Sequence, residues 1–148
     1  MMSPSHVLEC IDCGTENTSG NPDTVCEKCG GLLEYQLVVD KIRFTGPVTF
    51  WRYRPVLPKV AEVVSLGEGG TPLQRADRLA EFLHFKNLYL KDETRNPTNS
   101  FKDRSAALIA SDAKSRGYDN IVCASNGNHG ASISAYAAKE DIQCNLVI

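Results

Sequence analysis

The sequence predicts an α/β protein, with a parallel sheet and flanking helices, that follows a small cysteine-rich module. Beyond residue 65, short apolar strands alternate with helical segments, which is the pattern of parallel α/β layering. Before residue 40, four cysteines flank a stretch of turn-forming residues that cannot build its own apolar core. The alternation stops in an apolar strand, which needs neighbours on both sides. We therefore expect a truncated sequence, the N-terminal part of a longer protein.

Composition and charge exclude several classes of function. The chain is 42% hydrophobic and 23% charged, as in soluble folded proteins. Its net charge of -2 gives no reason to expect nucleic acid or a membrane as partner. No apolar run approaches the roughly 20 residues of a spanning helix, and the first residues lack the features of a secretory signal. We therefore expect a cytoplasmic location, where thiols stay reduced and clustered cysteines indicate metal binding or catalysis.

Four of the six cysteines form two Cys-x-x-Cys-Gly motifs separated by twelve residues: Cys10, Cys13, Cys26 and Cys29. A spacing of two residues lets both thiolates of a motif reach one tetrahedral zinc ion, and four cysteines leave no position open for water. The pattern predicts a structural zinc site in a zinc-ribbon module over residues 1–40. A redox Cys-x-x-Cys pair and a loosely held metal are the competing interpretations.

The segment that follows the cysteines is predicted to be a strand and then a connector. Leu32 to Val39, with the sequence Leu-Leu-Glu-Tyr-Gln-Leu-Val-Val, is predicted to be a strand. Residues 41–64 are aromatic, basic and punctuated by proline, so we expect a connector that packs on a larger body. The domain boundary is expected inside it, with a catalytic domain, incomplete in this chain, over residues 65–148.

The predicted catalytic domain contains one well-marked helix, from Asp103 to Arg116, with Ser100 as its N-cap and Gly117 as its stop. Its expected buried face comprises Ala106, Ala107, Ile109, Ala110 and Ala113. The other predicted elements are a strand over 88–91, a strand over 121–124, a helix over 131–139 and a strand over 144–148.

A lysine lies at the start of this helix, within the sequence Asn-Pro-Thr-Asn-Ser-Phe-Lys-Asp-Arg over residues 96–104. An arbitrary lysine there would be a solvated surface residue. The positive end of the helix dipole disfavours an ammonium ion, however, and favours the neutral amine that attacks aldehydes. These local physical arguments permit a reactive Lys102 without requiring one.

Three motifs together resemble those of the fold-type II pyridoxal-phosphate (PLP) enzymes, the tryptophan-synthase-β-like superfamily. The lysine motif resembles the superfamily's cofactor-lysine motif, although Asn99 stands where glycine is usual. Residues 64–73 are similar to the opening Gly-Glu-Gly-x-Thr-Pro-Leu, and residues 125–130 to the Ser-x-Gly-Asn loop. The cysteine module and the Trp51-Arg52-Tyr53 segment are also similar to the threonine synthase family. The resemblance covers nearly the whole chain.

The resemblance implies a role for each residue of the candidate site. Lys102 would form the Schiff base with PLP and move protons at the substrate carbons. Asn128 would hydrogen-bond the 3′ oxygen of the cofactor. Ser125, Asn126 and His129 would bind the substrate carboxylate at a helix start, which favours anions. Without the nearby lysine, residues 125–130 would be interpreted as a strand-to-helix turn with packing glycines; Asn126 also replaces the more usual Ser or Thr.

The implied reaction of the full-length enzyme is that of a lyase: O-phospho-L-homoserine and water give L-threonine and phosphate. A threonine/serine dehydratase or a related amino-acid ammonia-lyase is the alternative within the superfamily. A non-catalytic zinc-ribbon interaction module with an enzyme remnant is the alternative of another class. The superfamily's phosphate cup would lie beyond residue 148, so we expect the fragment alone to be inactive. The expected partner is a small amino-acid substrate. A homodimer is one possible assembly of the full-length enzyme.

Overall fold

The structure is a computed structural model that describes residues 5–17, 25–38 and 41–148. The chain divides into two compact units. The cysteine unit comprises the chain up to Gly46 with Arg52–Lys59, and the lysine unit comprises Pro47–Trp51 with Val60–Ile148. The predicted connector thus contributes residues to both units. The predicted turn-rich loop after Cys13 and the end of the predicted strand at Val39 lie partly outside the described residues.

The cysteine unit contains a three-stranded antiparallel sheet. Its strands are β1 (Ser5–Cys10), β2 (Glu16–Asn17) and β3 (Leu33–Val38), in the order β2-β1-β3. The strand predicted from Leu32 is thus present as β3, one residue later. Pairing of Cys10 with Leu33 places the first cysteine motif at the end of β1, beside the start of β3.

The lysine unit begins with a small antiparallel pair. Strand β4 (Leu73–Arg75) is followed by helix α1 (Asp77–Phe82). The chain then forms strand β5 (Tyr89–Lys91), which pairs antiparallel with β4. The strand predicted over 88–91 is present, but it pairs with β4 and lies in a different sheet from the later strands. The short α1 lets the chain double back beside β4, which yields an antiparallel pair rather than a parallel crossover.

The second half of the lysine unit is a β-α-β arrangement preceded by a long helix. Helix α2 spans Lys102–Ser115, followed by β6 (Asn120–Ala124), α3 (Asn128–Lys139) and β7 (Gln143–Val147). Strands β6 and β7 pair in parallel, and α3 is the crossover helix between them. The predicted parallel α/β layering is confirmed in this part of the chain.

The predicted ends of α2 are close to those observed. The helix starts one residue early, at Lys102, so the N-cap is Phe101 and the prediction of Ser100 is wrong by one residue. Ser100 Oγ accepts a hydrogen bond from Lys102 N–H at 3.2 Å. At its C-terminus Gly117 adopts a φ of 73°, and Tyr118 N–H donates to the Ala113 carbonyl at 2.9 Å. This bonding is a Schellman motif, which confirms Gly117 as the stop.

The predicted buried face of α2 is right except at one position. Its four alanines are buried: Ala106, Ala107, Ala110 and Ala113. Ile109 is 39% exposed, so its assignment to that face is wrong. Successive helical residues are 100° apart, so Ile109 lies at the margin of the alanine stripe and its longer side chain projects outward.

Helix α3 begins three residues before the predicted Ala131. Asn, His and Gly are weak helix formers, so residues 128–130 carry little helical signal in sequence. Here Ser125 Oγ accepts hydrogen bonds from the N–H groups of Gly127 at 3.3 Å and Gly130 at 3.0 Å, which shapes the entry to the helix. Consequently Asn128 and His129 lie in the first turn of α3 rather than in a loop.

The core of the lysine unit lies between α2, α3 and the parallel strands. The small alanine face of α2 allows α3 to approach closely, and Ile133 and Tyr136 of α3 fill the space with Cys123 and Val64. Burying each large side chain stabilises the fold by about 1.5–3 kcal/mol. Within the described ranges, helix length and hydropathy leave no segment able to span a bilayer.

Candidate active site and metal centre

The four cysteine sulfurs of the cysteine unit converge on one point. All four lie within 4.8 Å of one another, with Cys10 Sγ 3.5 Å from Cys29 Sγ and Cys13 Sγ 3.8 Å from Cys26 Sγ. A tetrahedral zinc ion with Zn–S bonds of about 2.3 Å places its sulfurs about 3.8 Å apart. The donor set and its spacing therefore fit a four-thiolate zinc ion.

The two cysteine motifs have the same backbone geometry. In each, the carbonyl of the first cysteine accepts from the glycine four residues later, and its N–H donates to the carbonyl five residues later. The four bonds are Gly14 to Cys10 (2.9 Å), Cys10 to Thr15 (3.0 Å), Gly30 to Cys26 (2.8 Å) and Cys26 to Gly31 (2.7 Å). Gly14 and Gly30 have φ values of 65° and 76°, which glycine adopts without strain. In addition, Gly31 N–H donates to Cys29 Sγ at 3.4 Å, a bond that disperses thiolate charge.

Lys102 occupies the first turn of α2, and its amine is left without a carboxylate partner. The side chain is half-buried, with Nζ 4.9 Å from the centroid of the exposed Phe101 ring. In the described part of the chain no ion pair involves Lys102. Its amine is therefore available to a ligand.

The turn before Lys102 explains why asparagine can replace glycine in the motif. Asn99 has a φ of 59°, in the left-handed region, and its N–H donates to the Asn96 carbonyl at 2.8 Å. Glycine adopts this conformation freely, and asparagine is among the residues that tolerate it. The departure at Asn99 thus preserves the turn.

We expect Asn99→Val to destabilise the lysine unit by about 1–2 kcal/mol, because a β-branched residue is strained at positive φ. Asn99 is exposed, so other losses should be small. Asn99→Gly is the matched control and should change the free energy of unfolding by less than about 0.5 kcal/mol. Urea denaturation measures both. Equal stability of the two variants would contradict this account of the turn.

Asp103 connects the lysine turn to α3. This carboxylate is fully buried and accepts hydrogen bonds from Thr98 N–H at 2.7 Å, from Thr98 Oγ1, and from Ser132 Oγ at 2.7 Å. Thr98 Oγ1 and Ser132 Oγ are also 2.8 Å apart. Ser132 lies one helical turn, about 5.4 Å, beyond Asn128. The first turns of α2 and α3, which carry Lys102 and Asn128, therefore lie side by side.

A second polar network joins the glycine-rich motif to the lysine motif. Arg104 of α2 pairs with Glu93 at 2.8 Å, and Thr71 Oγ1 donates to the same carboxylate at 2.5 Å. Asn96 Nδ2 donates to Glu93 at 2.9 Å and its Oδ1 accepts from Gly69 N–H at 3.0 Å. The hydrogen bonds from Arg104, with those from Thr71 and Asn96, lower the pKa of Glu93 to about 2.

This low pKa predicts that the lysine unit loses stability in acid. The folded-state pKa of Glu93 lies below its ordinary value of 4.5, so its contribution is present above pH 4.5 and is lost as the pH falls towards 2. We expect Glu93→Gln to reduce the difference in urea midpoint between pH 6 and pH 2.5. Glu81→Gln, on an exposed face of α1, is the control and should leave this difference unchanged. An unchanged difference in Glu93→Gln would show that the Glu93 network does not set acid stability.

A second buried carboxylate ties the glycine-rich turn to α3. Glu68 is fully buried and accepts hydrogen bonds from Tyr136 Oη at 2.8 Å, from Leu66 N–H at 2.9 Å and from Ser65 Oγ at 3.1 Å. Burial raises the pKa of Tyr136, and its hydrogen bond to Glu68 raises it further. The phenol therefore remains a donor throughout the neutral range.

The predicted carboxylate-binding residues lie at the entry to α3. Ser125 Oγ is engaged as the acceptor for two backbone N–H groups, so its first role is to shape the turn. Asn126 and Asn128 are exposed and available to a ligand. His129 Nδ1 is buried, and the described residues provide it no hydrogen-bond partner. The first N–H groups of a helix also lack intrahelical acceptors. These unpaired donors fit an anionic ligand such as a carboxylate.

Several residues of the site were not singled out from the sequence: Glu68, Glu93, Asp103, Arg104, Ser132 and Tyr136. Asp103 and Arg104 belong to the lysine motif, but only Lys102 within it was given a chemical role. Glu93 and Ser132 come from distant segments, and no local pattern marks them. Acidic residues are rarely buried without partners. An acidic residue inside one of the recognised motifs, such as Asp103, could therefore have been examined as a possible member of a buried hydrogen-bond network.

Comparison with known proteins bears on the same residues. The sequence model of the family described as "Pyridoxal-phosphate dependent enzyme" matches residues 64–148. The threonine synthase of Methanosarcina acetivorans is 39% identical over 142 residues, covering 91% of this chain and 35% of that protein. The threonine synthase of Methanocaldococcus jannaschii is 40% identical over 149 residues, covering 94% and 36%. That of Mycobacterium leprae is 48% identical over 85 residues, covering 57% and 23%.

The alignments with the first two of these proteins extend into the cysteine unit, because they cover more than nine tenths of this chain. The chain spans about a third of the length of these curated relatives. The family match covers all three motifs, from Val64 to the end of β7. The chain therefore belongs to the pyridoxal-phosphate dependent enzyme family.

Proposed function

We propose that the whole protein to which this chain belongs is a threonine synthase, which converts O-phospho-L-homoserine and water to L-threonine and phosphate. The observation that carries the proposal is the hydrogen-bonded junction of α2 and α3, which brings the turn of Lys102 beside that of Asn128. The similarity to threonine synthases over nearly the whole chain supports this substrate over others of the family.

Each residue of the site has a distinct task in this proposal. PLP, when bound, supplies an electron sink for negative charge at the substrate carbons. Lys102 Nζ holds the cofactor covalently, then takes and returns protons at those carbons. The Asn128 amide orients the cofactor ring through its 3′ oxygen. Asn126 and His129, with the Ser125 turn, bind the substrate carboxylate; His129 Nδ1 is the buried donor that gains a partner.

The cysteine unit has a structural role in this proposal. Zinc would be held by four thiolates: Cys10, Cys13, Cys26 and Cys29. A closed four-thiolate site leaves no position for a water ligand, so the ion would stabilise the fold and take no part in the reaction. It would replace the apolar core that three short strands cannot provide.

The remaining parts of the active site would come from the rest of the whole protein. The relatives are about three times as long as this chain. We propose that the additional length supplies the cup for the cofactor phosphate and the group that faces the pyridine nitrogen. These 148 residues alone should therefore be inactive. We also propose a cytoplasmic location and an assembly, such as a homodimer, formed through the whole protein.

An assay of the whole protein with two classes of substrate tests the proposal. Phosphate release from O-phospho-L-homoserine, with threonine as product, is the expected result. Ammonia release from L-threonine or L-serine without phosphate release would instead identify a dehydratase. Lys102→Ala should abolish turnover, whereas Lys139→Ala, at the exposed end of α3, should retain it. If Lys102→Ala keeps the activity of the wild type, the assignment of the lysine is contradicted. If the wild type releases neither phosphate nor ammonia, a non-catalytic module is favoured.

A further inference from the structure

Asp103, a carboxylate in the first turn of α2, accepts three hydrogen bonds. It follows Lys102 directly and is fully buried. Thr98 N–H reaches Oδ2 at 2.7 Å, while Ser132 Oγ reaches Oδ1 at 2.7 Å and Thr98 Oγ1 reaches the same oxygen. The carboxylate thus bonds both the preceding turn and the neighbouring helix α3.

This anchoring restricts the rotation of the first turn of α2. Successive side chains on a helix leave the axis 100° apart, so fixing the direction of Asp103 towards α3 also fixes the direction of Lys102. The residue before the helix, Phe101, provides no side-chain cap, and uncapped first turns fray. The bonds that Asp103 accepts from Thr98 and Ser132 therefore hold this turn in place through a side chain.

We propose that Asp103 is a positioning residue that, through Thr98 and Ser132, fixes the direction in which the Lys102 side chain leaves the first turn of α2. The inference rests on the proposed role of Lys102 as the lysine that binds PLP. Asp103 would act through the backbone of its own helix turn, without contact to the cofactor.

A carboxylate at this position accepts from all three donors at once, and its charge strengthens each bond. Asparagine has the same size but offers one acceptor oxygen and an NH₂ group. If its oxygen keeps the bonds to the hydroxyls, its NH₂ group faces the Thr98 N–H. If the amide is turned, the hydroxyls accept from the NH₂ group, and every bond is weaker because asparagine carries no charge. Asp103→Asn should therefore loosen the lysine turn while retaining the volume of the side chain.

The test is made on the whole protein and measures labelling of Lys102 by PLP followed by borohydride reduction, with quantitative peptide mapping. We expect Asp103→Asn and Thr98→Val to reduce the initial labelling rate of Lys102 about tenfold or more, because small misplacements of reacting groups are costly. Thr98→Ser keeps the hydroxyl and should label like the wild type. Asp112→Asn, which removes an exposed ion pair on the same helix, is the control. The label on Lys139 serves as the internal reference.

Thermal unfolding and near-ultraviolet circular dichroism separate positioning from loss of fold. Folded Asp103→Asn or Thr98→Val protein that labels Lys102 at the wild-type rate would overturn the inference. An equal loss of labelling in Thr98→Val and Thr98→Ser would also overturn it, because the hydroxyl would then have no role. If Asp103→Asn does not fold, the two Thr98 variants decide the question. A wild type without label on Lys102 would contradict the proposed function itself, and the inference with it.

Discussion

Replacing Cys26 by serine is expected to release the metal and unfold the cysteine unit. Cys26 is buried and lies 3.8 Å from Cys13 across the quartet. Serine is a poor zinc ligand, and the remaining thiolates cannot close the tetrahedron. Structural zinc contributes on the order of 10 kcal/mol to small modules at neutral pH, which exceeds what the short strands can compensate. Zinc content should fall from about one ion per chain to near zero.

Zinc analysis and hydrogen exchange of the β1 amides measure this result, and Cys144→Ser provides its control. Cys144 lies on β7, in the lysine unit, with Sγ 3.6 Å from Ser134 Oγ. Its replacement should leave zinc content and β1 protection unchanged. Retention of full zinc content by Cys26→Ser would show that the quartet is not the metal site.

Replacing Gly70 by alanine is expected to destabilise the lysine unit by about 3–5 kcal/mol. A Cβ atom at Gly70 would lie 2.0 Å from the Val48 carbonyl oxygen, and this residue has a φ of 62°. The obstacle is backbone rather than a flexible side chain, so the glycine-rich turn itself must move. That movement would pull on the neighbouring Gly69 N–H, which donates to Asn96 of the lysine motif.

Gly67→Ala separates the steric collision from the conformational preference. Gly67 also has a positive φ, of 90°, but an added Cβ would meet nothing within 4 Å. Its replacement should therefore show only the strain of the left-handed region, about 1–2 kcal/mol. Chemical denaturation of both variants measures the difference. Similar losses at Gly70 and Gly67 would mean that the close approach to Val48 contributes little.

The elements that the sequence predicted best are those with a strong local signal. Helix α2 carries an alanine stripe and a glycine stop, and both of its ends were predicted to within one residue. Strand β3 was predicted for a similar reason, from a short segment rich in leucine, tyrosine and valine. Helix α3 was predicted with a late start, because Asn128, His129 and Gly130 have weak helix propensity and Ser125 shapes their turn.

What could not be predicted depends on contacts between distant segments. The antiparallel pairing of β4 with β5 follows from the return of the chain after α1, which no periodicity marks. The bond between Asp103 and Ser132 joins residues 29 positions apart. Tyr136 and Glu68 are 68 positions apart. Such contacts form only when the helices pack against each other. A single sequence shows both residues of each pair, but it does not show which residues will meet.

The roles of Lys102, Asn128 and the carboxylate-binding residues remain predictions that rest on motif resemblance. The structure adds a physical reason for considering them together. Three hydrogen-bonded carboxylates connect these segments: buried Glu68 bonds the glycine-rich turn to α3, half-buried Glu93 bonds it to Arg104, and buried Asp103 bonds the lysine turn to α3.

The most direct test of this account is to map where PLP attaches. The whole protein to which this chain belongs is incubated with PLP, reduced with borohydride and digested, and each lysine peptide is quantified by mass spectrometry. The account predicts that the pyridoxyl group is concentrated on Lys102 and that this labelled peptide disappears in Lys102→Ala. A label spread evenly over exposed lysines such as Lys139, or absent from Lys102, would contradict it.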